Sequence, residues 1–242
     1  MNKLITIFVI FSSLLFSNEA HEIIKKLDEN FRGKNIYMQI SMKVASHGHE
    51  RIMKMQNYAQ GTKKSFVKII YPPRDKGITF LSLDNQMWQY VPKIERIIKI
   101  PPSMMLQKWM GSDITNDDMV KQSSIVEDYN PRIIERDGSM VVIELIPKED
   151  AAVVWGKIIV NIDTSTYTSK KDIFYDEDGE EVRYFIYDKV KKFGKYYLPT
   201  YWRVQSSDKE NRYTEIILED VEYDTDISDM YFQKSALKRF SR

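Results

Sequence analysis

Ile36-Tyr37-Met38-Gln39-Ile40-Ser41-Met42-Lys43-Val44 alternates along its whole length. Ile36, Met38, Ile40, Met42 and Val44 put five apolar side chains on one side. Tyr37, Gln39, Ser41 and Lys43 put mostly polar ones on the other. Successive side chains of a strand point to opposite faces, so this period of two predicts a long strand with one buried face.

Outward from that strand, strand-like runs continue with turn signals between them. Ser46-His47-Gly48 leads into a second strand over 50–59, and Gln60-Gly61 into a third over 64–71, ended by Pro72-Pro73. Further strands are expected over 78–84, 86–91, 95–100, 140–146, 153–163, 168–175, 181–190, 196–207 and 212–223. Asp137-Gly138, Asp178-Gly179 and Phe193-Gly194 mark tight links. About a dozen antiparallel strands with short links predict a mainly β protein, as one large curved sheet, a barrel or a sandwich. Two regions break the pattern. On the N-terminal side, His21 to Phe31 spaces Ile23, Ile24, Leu27 and Phe31 as one face of a short amphipathic helix stopped by Gly33. In the middle, Ser103 to Met110, closed by Gly111, and then Thr115 to Gln122 read as two short helices. Met104, Met105, Leu106, Trp109 and Met110 are too few for a core of their own, and the apolar face of the sheet is what they can cover.

The N-terminus has Lys3, then an apolar run from Leu4 to Phe16, then small and polar residues. The run is shorter than the roughly 20 residues of a helical span and has the layout of a secretory signal. Residues 1–20 are expected to be a signal peptide cut after Ser17 or Ala20, with 21–242 as a single domain in the periplasm. Without cysteine the chain has no disulfide scaffold, thiol nucleophile or lipidated cysteine. Lys and Arg number 36 against 35 Asp and Glu. That balance lacks the basic excess of a nucleic-acid binder. No nucleophile–base pair, phosphate loop or H-E-x-x-H pattern is present, so no catalytic residue, cofactor or metal site is expected. His47 and His49 flank a hairpin glycine and read as a solvated turn. The acidic run Asp176 to Glu181 fails calcium-loop spacing, because Phe174 stands where the first carboxylate belongs.

Met87-Trp88-Gln89-Tyr90-Val91-Pro92, then Arg96-Ile97-Ile98-Lys99-Ile100, then Met110-Gly111-Ser112-Asp113-Ile114-Thr115 with Asp117-Asp118 form an ordered series. It resembles the outer-membrane lipoprotein-sorting protein family, the LolA-like superfamily, in its broader uncharacterised branch. Tyr71-Pro72-Pro73, Tyr197-Leu198-Pro199 and the closing stretch from Asp226 to Leu237 are similar too. The resemblance implies an incomplete antiparallel β-barrel whose concave apolar face is covered by short helices, with a cavity between for acyl chains.

Under that resemblance the expected function is a non-enzymatic periplasmic carrier that moves a lipoprotein or lipid toward the outer membrane. The alternative is an adaptor or binding subunit docked on a membrane export complex. The partners expected are acyl chains, an inner-membrane transporter as a further candidate, no nucleic acid, and only transient membrane contact. Met38, Ile40, Met42, Trp88, Tyr90, Met105, Trp109 and Met110 are expected to line the cavity. Arg96 is read either as a headgroup contact or as the ion-pair partner of Asp113.

Overall fold

A computed structural model describes residues 3–121, 125–151, 153–207 and 211–242. Met1, Asn2 and the expected helix end at Gln122 lie outside them. Thirteen strands form one antiparallel sheet. They are β1 (Asn35–Ser46), β2 (His49–Gln60), β3 (Lys64–Tyr71), β4 (Thr79–Leu83), β5 (Gln86–Val91), β6 (Arg96–Ile100), β7 (Tyr129–Asp137), β8 (Met140–Pro147), β9 (Lys157–Asp163), β10 (Thr168–Tyr175), β11 (Glu181–Phe193), β12 (Tyr196–Ser206) and β13 (Arg212–Tyr223). Each strand pairs with its neighbour in sequence, except that β6 does not pair with β7. Instead β1 pairs with β13 in the middle of the sheet. The two ends of the meander, β6 and β7, are therefore free edges. The sheet curves but does not close.

The alternation read in β1 is realised. Ile36, Met38, Met42 and Val44 are buried in the main core, and Ile40 packs against it beside a bulge at Gln39/Ile40. The same face continues through Met53 and Met55 of β2, Phe80 of β4, Met87 of β5, Leu198, Trp202 and Val204 of β12, and Ile216 of β13. A second cluster occupies the β7–β10 half, where Val141, Ile143, Leu145, Ile158, Val160 and Ile162 meet one long helix.

That helix, α1, runs over Lys3–Arg32 and is longer than the expected His21–Phe31 because the preceding apolar run is helical as well. Ala20 and Ile24 are fully buried in the second cluster, whereas Phe31 reaches the first. Among the described residues no helix is long and apolar enough to cross a membrane. The remaining helices are short: α2 (Asn116–Lys121), α3 (Ile125–Asp128) and α4 (Lys234–Arg239). The helix expected over 103–110 is instead two 3₁₀ turns, Pro102–Met104 and Trp109–Gly111. Met110 and Gly111 both take positive φ, 48° and 73°, which an α-helix cannot accommodate. The segment satisfies its own backbone by folding back: Trp109 N–H donates to Ile114 O and Asn116 N–H to Gln107 O.

Two strand boundaries also differ. β7 was not expected. It is an edge strand carrying Pro131, a bulge between Ile133 and Glu135, and one buried side chain, Tyr129, so no clean alternation marks it. The strand expected over 153–163 starts only at Lys157, and the loop before it carries Val153 and Trp155 to the second cluster. His47 and His49 lie at the exposed β1–β2 turn. The acidic run forms the β10–β11 turn, where the Asp176 carboxylate accepts from the N–H groups of Asp178 and Glu180.

Candidate functional site

The Met110-Gly111-Ser112-Asp113 motif fastens the 101–121 segment onto the sheet. Asp113 is buried, and its carboxylate accepts from Arg212 Nε at 2.8 Å, Lys108 Nζ at 2.9 Å and Thr214 Oγ1 at 3.0 Å. Arg212 also donates to Gly111 O, and Arg51 of β2 to Met110 O. A second latch lies one turn on. Thr115 and Asp118 bond reciprocally, Thr115 N–H to Asp118 Oδ2 and Asp118 N–H to Thr115 Oγ1, which is a capping-box arrangement at the start of α2. The same carboxylate takes both arms of Arg183 from β11, at 2.7 and 2.5 Å. Arg183 is itself buried and sits over the rings of Trp155, Phe174 and Phe185.

Fastened this way, the segment and α1 cover the concave face without filling it. One cavity of about 90 Å³ lies between Met38, Ile40 and Met42 of β1, Met55 and Val67 of the next strands, and Trp109 and Val120 above. A second, of about 190 Å³, lies between Leu27 of α1, Tyr129, Val153, Trp155, Phe174, Phe185 and Leu198. Phe31, Ile114 and Trp202 line both. They form a shared wall in which the Phe31 and Trp202 rings stand 5.4 Å apart.

The second cavity has a polar side. Asp172 lines it and is bonded by Tyr187 Oη at 2.9 Å and by Ser169 Oγ. Desolvation pushes its carboxyl up to about 6, against the pull of those two hydrogen bonds. Asp28 of α1 is likewise raised by burial, although Arg32 Nε lies 2.6 Å away and opposes the shift. Because Asp172 holds its proton more tightly folded than unfolded, where carboxyls titrate near 3.9, folding is favoured as pH falls from about 6 toward 4 and penalised above 6. Asp172→Asn is expected to remove that slope. The stability difference between wild type and variant, measured by urea unfolding at several pH values, should change by about 1–3 kcal/mol across the window. Among the described residues no group of three or more His, Asp or Glu could hold a metal ion.

A family model described as that of an uncharacterised protein matches residues 61–239. The chain belongs to that family. Its fold is shared with solved structures at low sequence identity. A DUF1329 family protein from Desulfovibrio piger superposes with a TM-score of 0.83 at 20% identity, covering 92% of this chain and 99% of that one. A domain described as an outer-membrane lipoprotein-sorting protein from Vibrio parahaemolyticus gives 0.80 at 20% identity over 92% and 100%. A LolA superfamily protein from Nitrosomonas europaea gives 0.75 at 20% identity over 90% and 98%. The fold is LolA-like. No protein of curated function matches the chain.

Within this LolA-like fold the expected lining residues divide. Met38, Ile40, Met42 and Trp109 stand together around the first cavity. Met105 and Met110 pack against the main core from the covering segment but do not line either cavity. Trp88 and Tyr90 are a correction. They lie on the opposite face of β5 from Met87, in a third cluster with Phe66, Leu81, Phe232 and Leu237 under the C-terminal segment. The sheet is buried on both faces there, so apolar character alone misassigns the side. The expected Arg96–Asp113 pair is also corrected: Arg96 is exposed on edge strand β6, and Asp113 is held by Arg212, Lys108 and Thr214. The second cavity was missed altogether. Trp202 was recoverable from the alternation of Leu198, Thr200, Trp202 and Val204, all buried. Asp172 had only one weak sign, an acid within a strand, where Asp is depleted.

Proposed function

We propose that this chain is a non-enzymatic periplasmic carrier that holds the acyl chains of a lipoprotein or lipid and delivers them toward the outer membrane. The observation that carries the proposal is that the curved sheet and its cover do not meet flush: two apolar cavities remain between them. An apolar cavity of about 150 Å³ is already large enough to take a benzene-sized ligand. The second cavity exceeds that and accepts a segment of an acyl chain as it stands; a full chain requires the Phe31–Ile114–Trp202 wall to move. Each methylene kept from water contributes about 0.8 kcal/mol, so binding needs a dry hollow rather than chemistry. Release then follows from opening the cover or from a tighter acceptor. Organic extracts of protein purified from the periplasm are expected to contain acyl species at near-stoichiometric amounts by mass spectrometry. Protein that is lipid-free and takes up no fluorescent fatty-acyl probe would refute the carrier.

Export by a cleaved leader belongs to the same reading. Of the two cleavage sites, the one after Ser17 agrees with the packing, because Ala20 is fully buried and Glu19 pairs with Arg136 at 2.5 Å. N-terminal sequencing of the mature protein is expected to begin at Asn18; a start at His21 would contradict this.

One observation favours the adaptor reading. Edge strand β6 leaves Ile97 and Ile98 exposed, and Leu106 is 57% exposed nearby in sequence. Unpaired apolar edges are places where another chain adds on. An adaptor on a membrane export complex would lose its partner in Ile97→Lys/Ile98→Lys, with lipid content unchanged.

A further inference from the structure

We propose that the groove at the C-terminal end of α1 receives an anionic headgroup, a phosphate or carboxylate carried on an apolar tail, while the tail passes into the second cavity. The proposal rests on the carrier reading and names its ligand class. The groove has a volume of about 640 Å³ and draws Lys26 and Lys34 from α1 and its exit and Lys195 from the β11–β12 turn, against Glu29 in the lining and Asp224 beside Lys34 and Lys195. Asn30, Tyr167 and Tyr197 line both this groove and the second cavity, so the polar and apolar compartments adjoin at those three residues.

Hydrogen bonds join these three residues into one wall. Asn30 Nδ2 donates to Thr166 O and Tyr167 O, and its Oδ1 accepts from Tyr197 N–H. One side chain thereby ties α1 to the β9–β10 turn and to β12. Lys26 Nζ lies 3.2 Å from Tyr167 Oη and over that ring, directly at the boundary. Cations near a helix C-terminus complement its dipole, but here the last carbonyls already have donors: Gly33 N–H bonds Glu29 O, and Tyr223 Oη bonds Asn30 O. Lys195 comes from a different element, and its nearest carboxylate, Asp224, is at 3.8 Å and is shared with Tyr196 Oη and Lys34 N–H. Three exposed ammonium groups stand across this shared wall from an apolar cavity, an arrangement that selects an amphiphile with negative charge at one end, whose tail enters when the wall shifts.

The test compares phosphatidylglycerol with diacylglycerol of the same chains, by native mass spectrometry and probe displacement, on the full mature protein and on Lys26→Ala/Lys34→Ala/Lys195→Ala. All three lysines are exposed, so the variant folds. Lys93→Ala/Lys238→Ala, at two exposed lysines that line none of the three cavities, is the control. Wild type is expected to prefer phosphatidylglycerol on the order of tenfold, with the preference reduced by salt. The triple variant should bind both lipids alike, and the control should behave as wild type. Equal binding of both lipids by wild type, or a preference that survives the triple substitution, overturns the headgroup site and leaves the carrier standing. Failure to bind any lipid overturns both. Displacement of the bound lipid by millimolar inorganic phosphate alone would show an anion site independent of a tail, and would also overturn the proposal.

Discussion

Asp118→Ala is expected to lower folding stability by about 3–5 kcal/mol. The substitution leaves the Arg183 guanidinium buried with Asp113 O, at 3.3 Å, and three ring faces around it. Desolvating a cation without its counter-charge costs far more than the net worth of the pair, which is why removal of one partner is severe. Arg183→Met in the same chain should recover the larger part of the loss, because a well-packed apolar replacement removes the unpaired charge. The remainder reflects the Thr115–Asp118 cap at the start of α2, which Arg183→Met cannot restore. Urea unfolding of the two single variants and the double variant forms the cycle. Additive losses would mean that the pair does not couple the covering segment to the sheet. Under the proposed carrier function, opening the cover between α2 and β11 separates these two groups, so the latch is expected to set how readily cargo leaves.

Leu27→Trp combined with Val153→Trp is expected to abolish lipid retention while preserving the fold. Both residues line the second cavity and are only partly buried, one on α1 and one on the loop before β9. Bulk added there fills the hollow from its cover rather than from the sheet. Acyl species in organic extracts should fall by at least about tenfold, since excluding even two methylenes removes about 1.6 kcal/mol of burial. A circular-dichroism spectrum unchanged from wild type would show that the sheet is intact. Undiminished lipid in a folded variant would exclude the second cavity as the acyl site, and the smaller cavity beside Met38, Met42 and Trp109 would be the remaining candidate.

Strand content was legible because it is written locally. The period of two in Ile36 to Val44 is a property of neighbouring residues, and most other strands of the meander are marked by strand-like runs with turn residues at their ends. The one missed strand, β7, is an edge: with only Tyr129 buried it needs no alternation to be stable. The covering role of the 101–121 segment was legible too, because soft apolar residues in so short a stretch must bury themselves somewhere. Its conformation was not. Two left-handed residues, Met110 and Gly111, and a web of bonds from Arg51, Arg212 and Thr214 set it, and those partners are distant in sequence.

The candidate site divides along the same line. Residues on a strand whose burial has one sense, such as Met38 and Met42, could be placed from their own neighbourhood. Trp88 and Tyr90 could not, because the C-terminal segment packs on the far side of β3–β5 and buries that face as well. Asp172, Arg183 and Trp202 sit far apart along the chain and acquire meaning only when β10, β11 and β12 lie side by side with α1 and α2 above them. Periodicity reports which side chains avoid water, since that depends on each element alone. Where a hollow remains, and which charges face one another across it, depends on how separate elements meet, and that is settled by packing in three dimensions.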